Sequence, residues 1–366
     1  MSHARPDSPP PPAPPPPPFA DLSHRPIDRR PNWEIIPGFI AARISQTVAC
    51  TDADSLDRVD GAGDTFEVDG ERVQCMHNGV LVTEGGYYGP LSSEIIRCLQ
   101  GVHEPQEEVA FDAVIRRLAA SGSDGREPVM IELGSYWAYY SLWFLQNFPD
   151  GRSICLEPDP RNLEVGRRNF ELNGRSGTFV NAAIGDGSGE TMSFAPDDGS
   201  EPIDLPTYDL RALLELIGEP RVDLLLADIQ GGEIALLEHS IELLRTGVVR
   251  FMVVSTHDLA ITGSAMTHQH VLSMLLDAGA HIICEHTVSE SVSGDGLVVA
   301  SFDVADADLT VEISHARSRD SLAGEWEPRC EDYRIRLAST REELEEVRAR
   351  LELAEMEIAR LSRADG

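Results

Sequence analysis

Val129-Met130-Ile131-Glu132-Leu133-Gly134-Ser135 and, farther on, Ser153-Ile154-Cys155-Leu156-Glu157-Pro158-Asp159 share one design. Each is an apolar run that ends in an acidic residue and a turn former. Gly177-Thr178-Phe179-Val180-Asn181, Val222-Asp223-Leu224-Leu225-Leu226-Ala227 and Arg250-Phe251-Met252-Val253-Val254 repeat the apolar run, and Asn162–Asn173, Gly232–Arg245 and Thr267–Ala278 have helical spacing. Near-continuous apolar strands alternating with helices predict an α/β fold whose sheet is mostly parallel and covered on both faces. His281-Ile282-Ile283-Cys284 and Gly296-Leu297-Val298-Val299-Ala300 are joined by a short polar turn with no helix. A parallel return needs a crossover, so this last pair is antiparallel.

On the N-terminal side, Pro9 to Pro18 is an almost unbroken proline run. It predicts a polyproline-II-like, disordered tail over 1–31. Residues 32–127 form an N-terminal extension or lid. Thr65-Phe66-Glu67-Val68, Asp69-Gly70 and Arg72-Val73-Gln74-Cys75-Met76 predict a hairpin there, Gly79-Val80-Leu81-Val82 adds a strand, and Glu108 to Ala120 has helical spacing. The α/β domain occupies 128–303 and a linker 304–329. From 330 to 366, Leu337, Leu344, Leu351 and Ile358 recur every seven residues, with Thr340, Val347, Ala354 and Leu361 three places after them. That seam predicts a coiled coil about 50 Å long. It also predicts a homo-oligomer, against the alternative of a single solvated helix.

Composition narrows the function. The 366 residues carry 30 Lys+Arg against 62 Asp+Glu, a formal charge of −32, and none of the basic residues is Lys. Such a surface repels phosphate backbones and anionic headgroups, so nucleic acid and bare membrane are poor partners. Lysine Schiff-base chemistry and a Walker-type phosphate lysine are excluded. The 6 Cys are scattered without metal-ligand spacing, which predicts reduced thiols in a cytoplasmic protein. No stretch has the length of a membrane span, and the N-terminus shows no apolar signal region.

The chemistry-bearing residues lie where the strands end. Gly134 and Ser135 turn the first strand into its helix; glycine lets a ligand approach the backbone. Glu132 reads either as part of that ligand turn or as a helix-capping acid. Glu157, followed by Pro158, stands where a carboxylate accepts both hydroxyl protons of an adenosine ribose, or else it is a solvated strand end. Tyr136 and Ala138 fill places where a dinucleotide pyrophosphate needs bare backbone. Together with the terminal hairpin they favour S-adenosylmethionine over a nicotinamide cofactor.

In order along the chain stand Glu132-Leu133-Gly134, Glu157-Pro158-Asp159-Pro160, Asn169-Phe170-Glu171-Leu172-Asn173-Gly174, Asn181-Ala182-Ala183-Ile184-Gly185, Ser188-Gly189-Glu190 and Asp228-Ile229-Gln230-Gly231-Gly232-Glu233. This series resembles FkbM-family methyltransferases over roughly residues 100–303. It departs at Ala138, where the family usually has Gly, and at Tyr136, often Asn. The resemblance implies a Rossmann-like class I methyltransferase sheet and an S-adenosylmethionine-dependent O-methyltransferase acting on a sugar, glycan or secondary-metabolite hydroxyl. It implies Glu132, Gly134, Ser135 and Tyr136 at the cofactor turn, Glu157 and Pro158 at the ribose, and Asn181 and Ala182 at the adenine edge. It also implies Asp228 as the acid that faces the reactive sulfonium.

His257, ending the fifth strand beside Asp228, is expected as the general base, with Asp228 orienting it or sharing a divalent ion such as Mg2+ with it and Glu233; a histidine that is merely hydrogen-bonded is the alternative. The acceptor contacts expected are Tyr88, His103, Glu107, His268 and Glu285. Two other functions compete: a nicotinamide-dependent oxidoreductase, and a non-catalytic scaffold acting through its tail and coil.

Overall fold

The computed structural model describes residues 41–122, 125–185, 191–196 and 200–316, and eight positions between 337 and 351. The expected proline-rich tail and the Ser188-Gly189-Glu190 segment lie outside the described residues. The chain divides into two compact units, residues 1–315 and 316–366.

The first unit opens with α1 (Ala41–Ala49), then β1 (Thr65–Val68), β2 (Glu71–Cys75) and β3 (Leu81–Thr83), which form a small antiparallel sheet. Asp69 and Gly70 make the tight turn of its hairpin, both with positive φ (51° and 84°). Next come α2 (Gly89–Cys98) and α3 (Pro105–Ser121). The main domain follows as β4 (Val129–Leu133), α4 (Tyr139–Asn147), β5 (Arg152–Leu156), α5 (Pro160–Leu172), β6 (Thr178–Val180), β7 (Ala183–Ile184), β8 (Thr191–Phe194), β9 (Ile203–Tyr208) and α6 (Leu210–Ile217). It closes with β10 (Val222–Ala227), α7 (Glu233–Leu244), β11 (Val249–Thr256), α8 (Leu259–Thr262), α9 (Thr267–Asp277), β12 (His281–His286) and β13 (Gly296–Ser301).

The central sheet has the order β12-β13-β11-β10-β4-β5-β6. Neighbours from β11 to β6 are parallel, whereas β13 runs antiparallel to both β11 and β12. Strands β4, β10, β11 and β13 are buried along their whole length. Burial on both faces is why they read as apolar runs rather than alternating ones. Because β5 and β10 lie on opposite sides of β4, the order reverses at the β4–β10 junction, and the crevice beyond those strand ends is where open α/β sheets hold ligands.

The sequence reading left out β7, β8 and β9. They make a separate small sheet, order β7-β9-β8, inserted between β6 and β10. Its strands carry polar residues and Pro206, and most of β8 is exposed, so no apolar run announced them.

The described part of the extension, residues 41–122, is packed onto the main domain within the same unit. Two asparagines four residues apart, Asn169 on α5 and Asn173 at its C-cap, clamp it. Asn173 accepts from the Leu81 N–H (2.9 Å) and donates to the Leu81 carbonyl (2.7 Å), and Asn169 accepts from the Thr83 N–H (2.8 Å). Gln106, at the start of α3, donates to the Ser314 carbonyl (2.7 Å) and accepts from the Val292 N–H (2.8 Å). Residues 304–315, expected as the first part of a linker, therefore lie against the domain; the Val311 N–H also donates to the Ile283 carbonyl (3.1 Å). In the second unit the described positions are helical and exposed, including the seam residues Leu337, Leu344, Val347 and Leu351.

Candidate active site

A cavity of about 480 Å³ lies beyond the ends of β4, β5 and β10. The first strand-to-helix turn forms its floor. Gly134 and Ser135 donate N–H bonds to the Leu156 carbonyl (2.8 and 3.0 Å), and the Asp228 N–H donates to the Leu133 carbonyl (2.9 Å). Glycine at 134 is set by more than ligand approach: with φ +75°, a Cβ there would stand 1.7 Å from the Asp228 carbonyl oxygen. Tyr136 (φ 40°) and Ala138 (φ 56°) are also left-handed. These are the positions where the sequence departs from the FkbM pattern, and Ala138 shows the backbone reason for a glycine there.

Glu157 is buried rather than solvated. One oxygen accepts the Tyr136 N–H (3.0 Å), the other the Asp159 N–H (2.9 Å). Burial pushes its carboxyl up to about 7, although these N–H groups favour the ionised form. Each oxygen keeps hydrogen-bonding capacity for a ligand. Glu132 lines the cavity and also caps α4, accepting the Ser141 N–H (2.9 Å). Burial raises it to about 8. The Ser135 hydroxyl is buried without a partner among the described residues.

Asp228 ends β10 with its side chain 29% exposed toward the cavity, while the His257 side chain behind it is fully buried. His257 Nδ1 pairs with Glu233 Oε1 at 2.6 Å. Its Nε2 lies 3.0 Å from Asp228 Oδ1, in ion-pair range but not aligned as a hydrogen bond, and 3.8 Å from Asp295. Burial opposes charging this ring, but the carboxylates prevail and hold it as an imidazolium, with a pKa of about 11. The three residues expected to share a metal thus spend themselves on one another. Among the described residues no set of three His, Cys, Asp or Glu side chains is arranged to hold an ion.

The extension builds the remaining wall. Tyr88, His103 and Glu107, expected at the acceptor, all line the cavity. His103 Nδ1 pairs with Glu108 (2.6 Å) and Nε2 with Glu104 (3.2 Å). Burial opposes its charge, and Glu104 and Glu108 outweigh it, to a pKa of about 10. Tyr87 stacks on Trp137 with ring centres 4.6 Å apart. His268 and Glu285 are brought together, but elsewhere. They pair with each other (3.2 Å), His268 also meets the Thr256 hydroxyl (3.0 Å), and neither lines the cavity.

At the expected adenine edge, Asn181 donates to the Glu157 and Pro158 carbonyls (2.9 Å each) and Ala182 is fully buried. The cavity is lined there by Ala183, Ile184, Met192 and Phe194. The sequence reading also left out Tyr140 as a lining residue. The alternation of Met192 and Phe194 with Thr191 and Ser193 was the available signal for the flap strand.

The strand order is that of class I methyltransferases. Residues 119–282 match the methyltransferase FkbM domain. The chain carries an S-adenosylmethionine-dependent methyltransferase domain of this family. Solved structures that resemble the FkbM domain include precorrin-6y C5,15-methyltransferase from Geobacter metallireducens GS-15, with 17% identity over 53% of this chain and 88% of that one, at a TM-score of 0.33. A putative O-methyltransferase from Klebsiella pneumoniae gives 20% identity over 52% and 77%, at 0.33. The METTL16 methyltransferase domain gives 14% over 54% and 68%, at 0.35. No curated protein matches the sequence. Among the described residues no helix is long and apolar enough to cross a membrane.

Proposed function

We propose that the FkbM domain transfers a methyl group from S-adenosylmethionine to a hydroxyl of a sugar, glycan or secondary metabolite. One observation carries the reading. At the switch point of the sheet a cavity presents Glu157 at the tip of β5 and Asp228 at the tip of β10, and none of its described lining residues is Arg. Such walls suit a donor bearing a sulfonium and an ammonium. They disfavour a nicotinamide dinucleotide, whose pyrophosphate would face carboxylates over a turn filled by Tyr136 and Ala138. Against the scaffold reading, both residues keep the left-handed backbone of the turn although neither is Gly.

In this reading Glu157 holds the ribose hydroxyls, Gly134 and Ser135 the amino-acid end, and Ile184, Met192 and Phe194 the adenine. Bound S-adenosylmethionine supplies an electrophilic methyl group on sulfur. The acceptor oxygen forms a bond to that carbon as the carbon–sulfur bond breaks, its electron pair staying on sulfur. The acceptor proton passes to Asp228. This exchanges the two roles expected from sequence, because Asp228 faces the cavity while His257 stays charged below about pH 11 and has no vacancy for a proton. His257 and Glu233 orient Asp228. No step is assigned to a metal ion.

We assign the protein to the cytoplasm, in keeping with the buried thiols of Cys75, Cys155 and Cys284. The C-terminal heptads are assigned to a parallel homodimer. In that register the flanking sequence positions pair Glu343 with Arg348 and Arg350 with Glu355, against one like-charge pairing of Arg336 with Arg341.

Calorimetry with S-adenosylhomocysteine tests the donor site, and labelled S-adenosylmethionine with a panel of glycans and hydroxylated metabolites tests the transfer. Micromolar binding and label in a hydroxyl-bearing product are expected. Absence of binding overturns the enzymatic reading, and NADH binding in its place favours the oxidoreductase.

A further inference from the structure

Glu104 and Glu107 come from the start of α3 rather than from a strand tip, yet they line the same cavity as Asp228. The one cationic side chain among the described lining residues, His103, is already committed to Glu104 and Glu108. A phosphate or carboxylate on an acceptor would find no counter-charge there.

Glu107 is the informative member. It is 8% exposed, its Oε2 accepts the Ser255 hydroxyl (3.0 Å), and its Oε1 has no partner among the described residues. Beside it Tyr140, 5% exposed and also lining the cavity, has a hydroxyl with no partner among the described residues. Burial and the Glu104 and Asp228 charges hold the Glu107 carboxyl well above its ordinary value. Grouped carboxyls with no free cation either keep a proton or take a ligand that supplies the positive charge. A protonated amine lets Glu107 ionise, and a neutral polyol does not.

We propose that the acceptor carries a protonated amine close to the hydroxyl that is methylated, an amino sugar by chemical class, and that Glu107, Glu104 and the Tyr140 hydroxyl seat this amine. The assignment rests on the methyl-transfer reading, which makes this cavity the acceptor site. The strand-tip carboxylates serve the donor, and the pair on α3 serves the acceptor.

The test titrates the full-length protein, saturated with S-adenosylhomocysteine, with three probes of one shape: methyl β-D-glucosaminide, methyl β-D-glucoside and methyl β-D-glucuronide, read by saturation-transfer NMR. The glucosaminide is expected to bind at least about tenfold tighter than the glucoside, the size of one charge-assisted contact, and the glucuronide not at all. In Glu107→Gln the preference for the amine should fall to near unity, and Glu104→Gln should reduce it. A melting curve and S-adenosylhomocysteine binding show that each variant is folded. Equal binding of glucosaminide and glucoside, binding of the glucuronide, no binding of the glucosaminide, or an unchanged preference in a folded Glu107→Gln overturns the proposal. Titrations repeated without S-adenosylhomocysteine keep the two readings apart. Loss of nucleoside binding sinks methyl transfer, whereas loss of amine preference sinks only the acceptor assignment.

Discussion

Gly134→Ala places a single methyl group where the β4 turn meets the end of β10. The added carbon would sit 1.7 Å from the Asp228 carbonyl oxygen and 2.7 Å from its carbon, so backbone must move. Holding Ala at φ +75° costs about 1–2 kcal/mol, and losing the bond from the Asp228 N–H to the Leu133 carbonyl adds about 1 kcal/mol. The expected total is about 3 kcal/mol, or roughly 6–12 °C in melting temperature. Gly218→Ala is the control. It also has φ +70°, but open space surrounds it, so it should cost only about 1 kcal/mol. Urea denaturation of both variants separates the conformational term they share from the clash that Gly134→Ala alone suffers. Because the displaced backbone carries the Asp228 carboxylate, methyl transfer should fall with stability in Gly134→Ala and remain in Gly218→Ala. Equal destabilisation of the two would refute the claim that packing against β10, rather than backbone conformation, demands this glycine.

Glu157→Gln should weaken S-adenosylhomocysteine binding and flatten its pH dependence. In the native protein the carboxyl titrates near 7, above its ordinary 4.5, so affinity should fall as pH drops through 7. Folding stability at this group runs the other way: the folded state holds the proton more tightly, and stability is lost as pH rises from 4.5 through 7. Calorimetry from about pH 6 to pH 8 checks the first effect, and urea titration from about pH 4.5 to pH 7 the second. His257→Gln should lower kcat by about a hundredfold or more, the usual worth of an oriented proton acceptor, while leaving the Kd for S-adenosylhomocysteine nearly unchanged. A kcat within threefold of native would remove His257 from the mechanism. Leu344→Lys should convert a dimer into a monomer by light scattering, since it buries a charge in the seam; an unaltered mass would end the coiled-coil assignment.

The sheet was legible because burial on both faces writes itself as apolar runs, as in Val222 to Ala227, and because too little chain separates Cys284 from Gly296 for a crossover. The tips of β4, β5 and β10 were legible for the same reason: once a strand is placed, the residue that ends it is placed too. What lay beyond that was tertiary. Nothing in the sequence says that Asn169 and Asn173 would spend their amides on the backbone of β3. Nor does it say that this docking would bring Tyr87 and Glu104 to the cavity. The relation of Asp228 to His257 was found as neighbours but not in depth, since periodicity reports which face a residue takes and not which of two side chains stands in front. The flap of β8 and β9 was missed because its exposed polar residues dilute the alternation of Met192 and Phe194.

The place of β13 bears on how the chain is made. The last strand synthesised lies between β11 and β12, so among the described strands β12 has no sheet neighbour until residues 296–301 have left the ribosome. Until then β11 carries an open, apolar margin, and a polypeptide released early would be prone to stick to its own kind at that margin. The sheet is therefore completed only in the final fifth of the chain, long after the donor-binding half has emerged.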